Sequence, residues 1–317
     1  MLQQTQVEQV IPYYFRFIKQ FPNVRTLARS NPDRVLKIWE GLGYYRRARY
    51  LRDAAIKIEK DFGGKIPNDH ARLRTLPGFG EYTCGSVLSI AFHQPYPAVD
   101  GNVLRVISRL FRVETDTALS KTKRTITRIV KDLIPPNRAS EFNQSLMELG
   151  ALICKPKNPH CLRCPWSKFC RAYTELKNPS RLPKKMKKKK RPHFHVAVGV
   201  VKKGNYVLIA KRPEHLILGN LWEFPGGRKH AHESLEDSCV RHIKKETSIR
   251  AKILHPLFSF KHHFSHYSQT LHFFSARYVG GKTEARSAVR WARMNALDDF
   301  AFSTSHKKAI KIIRNIL

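Results

Sequence analysis

Four of the six cysteines fall within seventeen residues, in the pattern Cys154-x6-Cys161-x2-Cys164-x5-Cys170. Four thiolates in so short a loop can enclose a tetrahedral zinc ion or a cubane iron–sulfur cluster. In a reducing compartment this grouping is typical of a metal site rather than of two disulfides. Zinc ribbons typically use two short knuckles, whereas this loop has one knuckle between gaps of six and five residues. The spacing therefore favours the iron–sulfur cluster.

A second group of residues is suited to binding phosphate. The sequence Leu76-Pro77-Gly78-Phe79-Gly80 lies between a predicted short helix over 69–74 and a longer one over 81–91. Glycines let a phosphate approach backbone N–H groups, and the N-terminus of the second helix attracts an anion. The pattern predicts a helix-hairpin-helix that grips one DNA backbone without reading sequence. The alternative is an ordinary helical hairpin whose turn needs glycine.

A third candidate is a carboxylate. Asp100 lies twenty residues after Gly80, in the sequence Val99-Asp100-Gly101-Asn102-Val103. An aspartate at the start of a helix is most often an N-cap. The functional interpretation is a negative charge beside a reacting sugar, where it stabilises a developing oxocarbenium ion. The residues alone leave both interpretations open.

The charge of the chain indicates a polyanionic partner. The 317 residues carry 59 Lys and Arg against 24 Asp and Glu, a net charge of +35. Seven of the basic residues form the run 184–191, and removing them still leaves +28 (35 − 7). An excess spread along the chain points to nucleic acid. With 42% hydrophobic residues the chain is too apolar for a disordered basic tail.

Two domains are predicted to position these groups. Apolar residues recur at helical spacing through residues 1–175, which predicts an all-helical first domain holding the helix-hairpin-helix (69–91) and the cysteine loop (154–170). Residues 176–193 are rich in proline and lysine and are predicted to form a basic linker. Residues 194–317 open with a strand, turn and strand around Lys203-Gly204-Asn205 and continue as an α+β domain.

Membrane association is not expected. No apolar run approaches the ~18 residues that span a bilayer, and residues 1–14 lack the pattern of a signal peptide. We expect a soluble intracellular protein.

Together these motifs resemble the endonuclease III superfamily of helix-hairpin-helix DNA glycosylases, and the whole chain resembles its adenine-specific, MutY-type branch. The supporting sequences are Met1-Leu2-Gln3-Gln4-Thr5-Gln6-Val7, Trp39-Glu40-Gly41-Leu42-Gly43-Tyr44-Tyr45, Phe142-Asn143-Gln144 and Glu148-Leu149-Gly150-Ala151. The resemblance implies a 4Fe-4S cluster on the four cysteines. It implies removal of adenine that is mispaired with 8-oxoguanine or guanine, by hydrolysis of the N-glycosidic bond during base excision repair.

The resemblance also assigns roles to single residues. Asp100 would stabilise the cationic sugar, and Gly78 and Gly80 would hold the DNA backbone. Gln4 and Tyr44 would wedge into the duplex. The remaining substrate-binding residues would be Thr5, Asn102 and Gln144, of which Gln144 would line the adenine pocket. The implied partner is double-stranded DNA carrying an adenine:8-oxoguanine mismatch, bound by a monomer in the cytoplasm of a bacterium, at the nucleoid.

Tyr82 separates this branch from the lyase-competent members of the superfamily. Those members carry a lysine two residues after the second hairpin glycine, and its amine attacks the sugar to form a Schiff base. Position 82 of this chain is a tyrosine, which cannot form a Schiff base. This position supports a monofunctional glycosylase, and the resemblance implies that Tyr82 contacts the catalytic site. A bifunctional pyrimidine glycosylase, which would need lysine here, is disfavoured.

The second domain resembles a Nudix fold without hydrolase activity. Gly227-x5-Glu233-x7-Arg241 has the spacing at which a Nudix box begins, but His242 and Lys245 occupy two positions of the metal-binding glutamates and only Glu246 remains. A site with those substitutions binds a divalent cation poorly. The resemblance implies a domain that recognises 8-oxoguanine through the loop Phe264-Ser265-His266, with Ser265 bonding the oxidised base. The alternative is an ordinary serine at a strand end.

One departure from the family concerns the general acid. In the family a glutamate lies two residues before the sequence that begins here at Met1, and it protonates adenine. The given chain resembles a family member without that N-terminal segment. We therefore also consider a catalytically impaired, mismatch-binding protein.

Overall fold

A computed structural model describes residues 1–184, 191–264, 266–283 and 288–316. Ser265, the predicted reading residue, lies outside these ranges. The described residues form two compact units, one within Met1–Ile56 and Lys189–Leu317 and the other within Lys57–Lys188. The first 56 residues and the C-terminal part of the chain thus belong to the same compact unit. The domain bounds 1–175, 176–193 and 194–317 stay a prediction.

Residues 1–184 contain helices and no strand, so the predicted all-helical class of this part is confirmed. The helices are α1 (Val7–Gln20), α2 (Val24–Ala28), α3 (Pro32–Trp39), α4 (Arg46–Phe62), α5 (His70–Arg74), α6 (Glu81–Ser86), α7 (Gly101–Leu110), α8 (Ser120–Leu133), α9 (Ala139–Glu148) and α10 (Arg171–Glu175). Short π-helical turns extend α6 over Val87–Ala91 and α9 over Leu149–Ile153.

In the unit Lys57–Lys188, α7 is the central helix. Its apolar face packs against α8 and α9 in one core, formed by Val103, Val106, Ile107, Ile126, Val130 and Leu146. Burial of these aliphatic side chains contributes about 1.5–3 kcal/mol each. The packing fixes α7 and thereby its N-terminus, where Asp100 lies.

The other unit contains a mixed seven-stranded sheet with antiparallel and parallel pairs. Its elements are β1 (His193–Lys203), β2 (Tyr206–Lys211), β3 (Trp222–Glu223), β4 (Gly226–Arg228), α11 (Leu235–Thr247), β5 (Arg250–His263), β6 (Ser268–Gly280), β7 (Val289–Arg293) and α12 (Thr304–Ile316). The main strand order is β3-β2-β1-β6-β5, with β4 paired to β1 and β7 to β2. The predicted opening hairpin is confirmed by antiparallel pairing of β1 with β2.

Apolar side chains cover both faces of this sheet. On one face Cys239 and Ile243 of α11 pack against Ala197 and Phe274. The close approach needs Gly199, because a Cβ there would lie 2.5 Å from Cδ1 of Ile243. On the other face α12 packs on a second core. The second domain is therefore α+β, as predicted.

The first helices pack on this C-terminal part rather than forming a separate core. Trp39, Leu42 and Tyr45 are buried in one cluster with Leu221 and Ala301. This shared core explains why the first 56 residues and the sheet belong to one compact unit. Within the ranges that the structure describes, no helix combines the length and the apolar character needed to cross a membrane.

Candidate functional site

The predicted helix-hairpin-helix is present. Helix α5 ends at Arg74, and α6 begins at Glu81 with Gly80 as its N-cap. Gly78 has a φ of +79°, a conformation that favours glycine. The turn is braced by the Arg74 guanidinium, whose Nη1 donates to the Phe79 carbonyl at 2.7 Å. Gly80 is exposed, and a Cβ there would meet no atom within 4 Å, so a ligand can approach its backbone.

Asp100 is the N-cap of α7, and its carboxylate is held on both oxygens. Oδ1 accepts the backbone N–H of Val103 at 2.7 Å, and Oδ2 accepts a hydrogen bond from Nδ2 of Asn102 at 2.9 Å. The capping interpretation of Asp100 is therefore correct. It does not exclude the catalytic one, because a capped carboxylate at a helix N-terminus keeps a fixed position for its charge.

Asn102 is in turn fixed by a buried arginine. Its Oδ1 accepts from Nη2 of Arg105 at 2.9 Å, and Nε of Arg105 donates to the carbonyl of Cys154 at 2.7 Å. Gly150 permits the packing, since a Cβ there would lie 2.6 Å from Cβ of Asn102. A continuous chain of hydrogen bonds thus connects Asp100 with the first residue of the cysteine loop.

Tyr82 is close enough to Asp100 to be influenced by its charge. Its hydroxyl donates weakly to Sδ of Met147 at 3.7 Å. Burial raises the pKa of Tyr82, and the negative charge of Asp100 raises it further. The phenol therefore stays protonated near neutral pH and cannot act as a base toward a sugar.

Asn143 and Gln144 on α9 have different surroundings. Asn143 is fully buried: its Oδ1 accepts the N–H of Ala98 at 2.8 Å, and its Nδ2 donates to the carbonyl of Tyr96 at 3.0 Å. It thereby fixes the loop that leads into Asp100. Gln144 is exposed, and its Nε2 donates to Oγ of Ser140 on its own helix at 3.0 Å.

The four predicted cluster cysteines are free and line one pocket. Burial raises the pKa of Cys161, Cys164 and Cys170, and the nearby Cys154 raises each of them further. No three or more His, Cys, Asp or Glu side chains in the described ranges are placed as a ready metal-binding group. The four thiols thus share a pocket without forming a closed ligand set.

A buried arginine closes this pocket. Nη1 of Arg109 contacts Sγ of Cys154 at 3.2 Å and donates to the carbonyl of Lys155 at 2.7 Å, while Nη2 donates to the carbonyl of Pro156 at 3.0 Å. Four thiols and a guanidinium fit an anionic metal–sulfur group, because thiolates bind the iron and the arginine offsets negative charge.

The predicted wedge residues lie in the other unit and are brought together by Arg47. Gln4 is exposed and has a φ of +61°, and Tyr44 has a φ of +47°. Nη2 of Arg47 donates to Oγ1 of Thr5 at 3.0 Å, and its guanidinium lies 5.3 Å from the ring of Tyr44. One arginine therefore links the segment that carries Gln4 to the loop that carries Tyr44.

The predicted reading loop connects β5 to β6. The N–H of Phe264 donates to the carbonyl of Tyr267 at 2.9 Å, and the two rings stack with centroids 4.6 Å apart. Arg191 donates to the Phe264 carbonyl at 3.5 Å. His266 is exposed at the turn. The described part of the loop is thus a tight turn framed by aromatic rings.

The Nudix-like segment makes internal contacts. Glu233 binds the Arg241 guanidinium at 2.6 Å, and this bond holds the pKa of Glu233 well below its usual range. Glu246, the remaining carboxylate of the box, accepts the N–H of Gly226 at 3.1 Å and lies 3.4 Å from Nδ1 of His242. These contacts accord with a Nudix fold that lacks the usual set of metal-binding glutamates.

The sequence did not reveal four residues that position the site. They are Arg47, Arg105, Arg109 and Asn143. A signal for two of them was the spacing of Arg105 and Arg109, four residues apart, which places both on one helix face.

Two family models match the chain. One describes an HhH-GPD superfamily base excision DNA repair protein and covers residues 1–136, and the other describes a NUDIX domain and covers residues 196–311. The order of the two matches agrees with a helical glycosylase part followed by a Nudix-like part.

Full-length relatives are also similar. The adenine DNA glycosylase of Mus musculus is 32% identical over 361 residues, which cover 98% of this chain and 70% of that protein. The adenine DNA glycosylase of Buchnera aphidicola subsp. Schizaphis graminum is 36% identical over 86% of this chain and 76% of its own length. A solved thermostable thymine-DNA glycosylase superposes with a TM-score of 0.50 at 29% identity, covering 55% of this chain and 80% of that structure. Because the similarity extends over nearly the whole chain, the chain belongs to the adenine DNA glycosylase family.

Proposed function

We propose that this protein removes adenine mispaired with 8-oxoguanine or guanine in double-stranded DNA, by hydrolysing the N-glycosidic bond and leaving the strand uncut. The observation that carries the proposal is the carboxylate of Asp100, fixed by Val103 and Asn102 at the start of α7. A fixed negative charge is what a sugar needs while it develops oxocarbenium character.

The substrate base must leave the duplex before Asp100 can act on its sugar. The glycine turn at Gly78 and Gly80 would grip the backbone of the strand, because an anion can approach its exposed backbone. Gln4 and Tyr44 would fill the space left in the stack, Thr5 would support them through Arg47, and Gln144 would line the pocket for the extruded adenine.

The bond to adenine breaks readily only when the ring is protonated, and general acid catalysis supplies about 10²–10⁴-fold. Asp100 does not serve this step while it acts as an anion beside the sugar. In the family a glutamate two residues before the position of Met1 protonates the base. Tyr82 cannot form a Schiff base, so its presence supports hydrolysis without strand cleavage.

The Nudix-like domain would recognise the base opposite adenine. Phe264 and His266 border the turn between β5 and β6, and Ser265 would hydrogen-bond the oxidised guanine. The net charge of +35 supports binding of the whole protein to a polyanion.

Cys154, Cys161, Cys164 and Cys170 would hold a 4Fe-4S cluster. They line one pocket, and Arg109 lies against the first of them. When bound, such a cluster supplies one-electron redox chemistry and ties the loop together through its Cys₄ ligation. The chain itself supplies Arg109, which would hold the loop backbone beside the ligands.

The test is a single-turnover assay on a duplex with one adenine:8-oxoguanine pair, with thymine:8-oxoguanine as the control substrate. It compares the chain as given with one extended upstream to include a glutamate two residues before Met1. Release of free adenine with an intact strand by either protein supports the proposal. Tight mismatch binding without adenine release by both proteins would favour the mismatch-binding alternative.

A further inference from the structure

The turn between α3 and α4 has a conformation that must be held from outside. Gly41, Gly43 and Tyr44 have φ values of +97°, +77° and +47°. A tyrosine in the left-handed region is strained and persists only where the surroundings fix it. Tyr44 is 49% exposed, whereas the adjacent Tyr45 is buried. The turn therefore presents one aromatic side chain outward on a fixed backbone.

Part of the support comes from neighbours in the chain. Nε1 of Trp39 donates to the carbonyl of Gly43 at 3.0 Å. The N–H of Gly41 donates to Oη of Tyr45 at 3.0 Å. These bonds close the turn on itself but leave its position relative to other parts of the unit unspecified.

The rest of the support comes from the C-terminal part of the chain. The hydroxyl of Tyr45 donates to the carbonyl of Phe302 at 3.3 Å, and the N–H of Phe302 donates to Oε1 of Glu40 at 2.9 Å. Oε2 of Glu40 accepts from Lys307 at 2.7 Å and from Lys37 at 2.8 Å. The Glu40 side chain is only 5% exposed. A buried carboxylate with three donors is strongly tied to its position.

Two of the residues that bind Glu40, Phe302 and Lys307, are part of the Nudix-like domain, whereas Lys37 belongs to α3. The side chain of Phe302 lies in the same core as Phe224, Phe273 and Ile310. Its neighbour Ala301 accepts a hydrogen bond from the N–H of Trp222, the first residue of β3, at 2.8 Å. The backbone that holds the Tyr44 turn is therefore anchored in the domain that carries the loop between β5 and β6.

We propose that Glu40 is a positioning residue that couples base recognition by the Nudix-like domain to insertion of Tyr44 into the duplex. Through Phe302 and Lys307 it fixes the Tyr44 turn relative to that domain. Contact of the domain with the oxidised base then favours Tyr44 at the mismatch. This inference rests on the proposed function, in which Tyr44 acts as the wedge.

The experiment measures dissociation constants of the full chain for two duplexes that differ only in 8-oxoguanine or guanine opposite a non-hydrolysable adenine analogue. The variants are Glu40→Gln and Lys307→Met, with Lys307→Arg as the conservative rescue. Lys311→Met is the matched control, because it removes a lysine from an exposed position on the same helix α12 as Lys307. Lys307→Met keeps the measurement informative if Glu40→Gln does not fold, since Lys307 is 44% exposed.

We expect Glu40→Gln and Lys307→Met to narrow the preference for 8-oxoguanine by about 5-fold or more, whereas Lys307→Arg and Lys311→Met retain it. In a Tyr44→Ala background the same substitutions should cause no further narrowing, because the coupling acts through Tyr44. A merely structural role would not produce this dependence on Tyr44.

Each alternative outcome has a distinct meaning. If the unmodified protein shows no preference for 8-oxoguanine, the proposed recognition of this base by the Nudix-like domain fails, and the coupling fails with it. If it shows the preference and both Glu40→Gln and Lys307→Met keep it, or if they narrow it equally without Tyr44, the coupling role of Glu40 is overturned while the proposed function stands.

Discussion

Nδ2 of Asn102 donates to Oδ2 of Asp100 at 2.9 Å, while the other oxygen of Asp100 caps the helix that both residues begin. Both oxygens of the Asp100 carboxylate are thus bound by groups of α7. Arg105 fixes Asn102 in turn and bonds to the carbonyl of Cys154. The arrangement makes the position of the charge depend on α7 and on the cysteine loop together.

The capping role and the catalytic role of Asp100 can be separated by substitution. Asparagine caps a helix about as well as aspartate, but it carries no charge. We expect Asp100→Asn to keep the melting temperature within a degree or two and to lower adenine excision by at least about 10²-fold, a typical loss for one electrostatic contact in a transition state. Thermal unfolding and single-turnover excision by the N-terminally extended protein measure the two effects.

Asp100→Ala provides the comparison. It removes the cap as well as the charge, and loss of an N-cap costs about 1 kcal/mol. If Asp100→Asn retained full excision, Asp100 would be a cap and nothing more.

Asn143 and Gln144 are adjacent in the sequence, but their substitution should affect different properties. Loss of Asn143 should lower stability, whereas loss of Gln144 should weaken excision. Asn143→Ala would leave the N–H of Ala98 and the carbonyl of Tyr96 without their partner in a buried site. Each such group costs about 1–3 kcal/mol, so the free energy of unfolding should fall by about 2 kcal/mol or more. Gln144→Ala removes an exposed side chain and should leave stability unchanged while weakening excision. Equal free energies of unfolding for the two variants, measured by denaturant titration, would contradict this prediction.

The local sequence pattern predicts the secondary-structure elements, but it does not predict which face of the first helix is buried. The apolar spacing from Val7 to Ile18 predicts a helix, and α1 covers Val7–Gln20. Yet Val10 and Phe17 are the buried residues, and Val7 is 60% exposed. Periodicity identifies an amphipathic helix, whereas the face that is buried depends on distant parts of the chain.

The same limit applies to the site. Asp100, the glycine turn and the cysteine loop could be found because each depends on residues close in sequence. Arg105 and Arg109 could not, because an arginine on a helix is usually solvated and only the three-dimensional fold places these two beside the cysteine loop. The link from Glu40 to Phe302 joins residues 262 positions apart, which no local pattern predicts.

The cysteine loop predicts a coloured protein. Protein purified from iron-sufficient cells should be yellow-brown and contain about four irons per chain, as expected for Cys₄ ligation of a cubane cluster. Cys164→Ser should reduce the iron content and the visible absorbance, whereas Cys239→Ser, at a buried cysteine of α11, should change neither. Elemental analysis that found stoichiometric zinc instead would refute the cluster.

The two hairpin glycines should differ in what their substitution costs. Gly78→Ala forces a side chain into a left-handed conformation and should lower the free energy of unfolding by about 1–2 kcal/mol. Gly80→Ala introduces no such strain and meets no atom within 4 Å, so it should leave stability unchanged. If this turn binds a DNA phosphate, the methyl group should weaken duplex binding and leave the steep dependence of affinity on salt in place. Unchanged affinity of Gly80→Ala would remove the turn from the DNA interface.

His306 predicts the pH dependence of folding in the C-terminal unit. Burial, together with the nearby positive charge of Arg212, lowers its pKa from the usual 6.5 to about 3. The unfolded chain takes up a proton near pH 6.5 and the folded one does not, so this contribution to stability is complete above pH 6.5 and declines as the pH falls towards 3. At about 1.4 kcal/mol per unit of pH, the free energy of unfolding should be about 2 kcal/mol lower at pH 5 than at pH 7. His306→Leu should flatten this part of the profile, and the exposed His215→Gln should leave it unchanged. Denaturant titrations at a series of pH values measure the slope, and an identical slope in His306→Leu would assign it to another group.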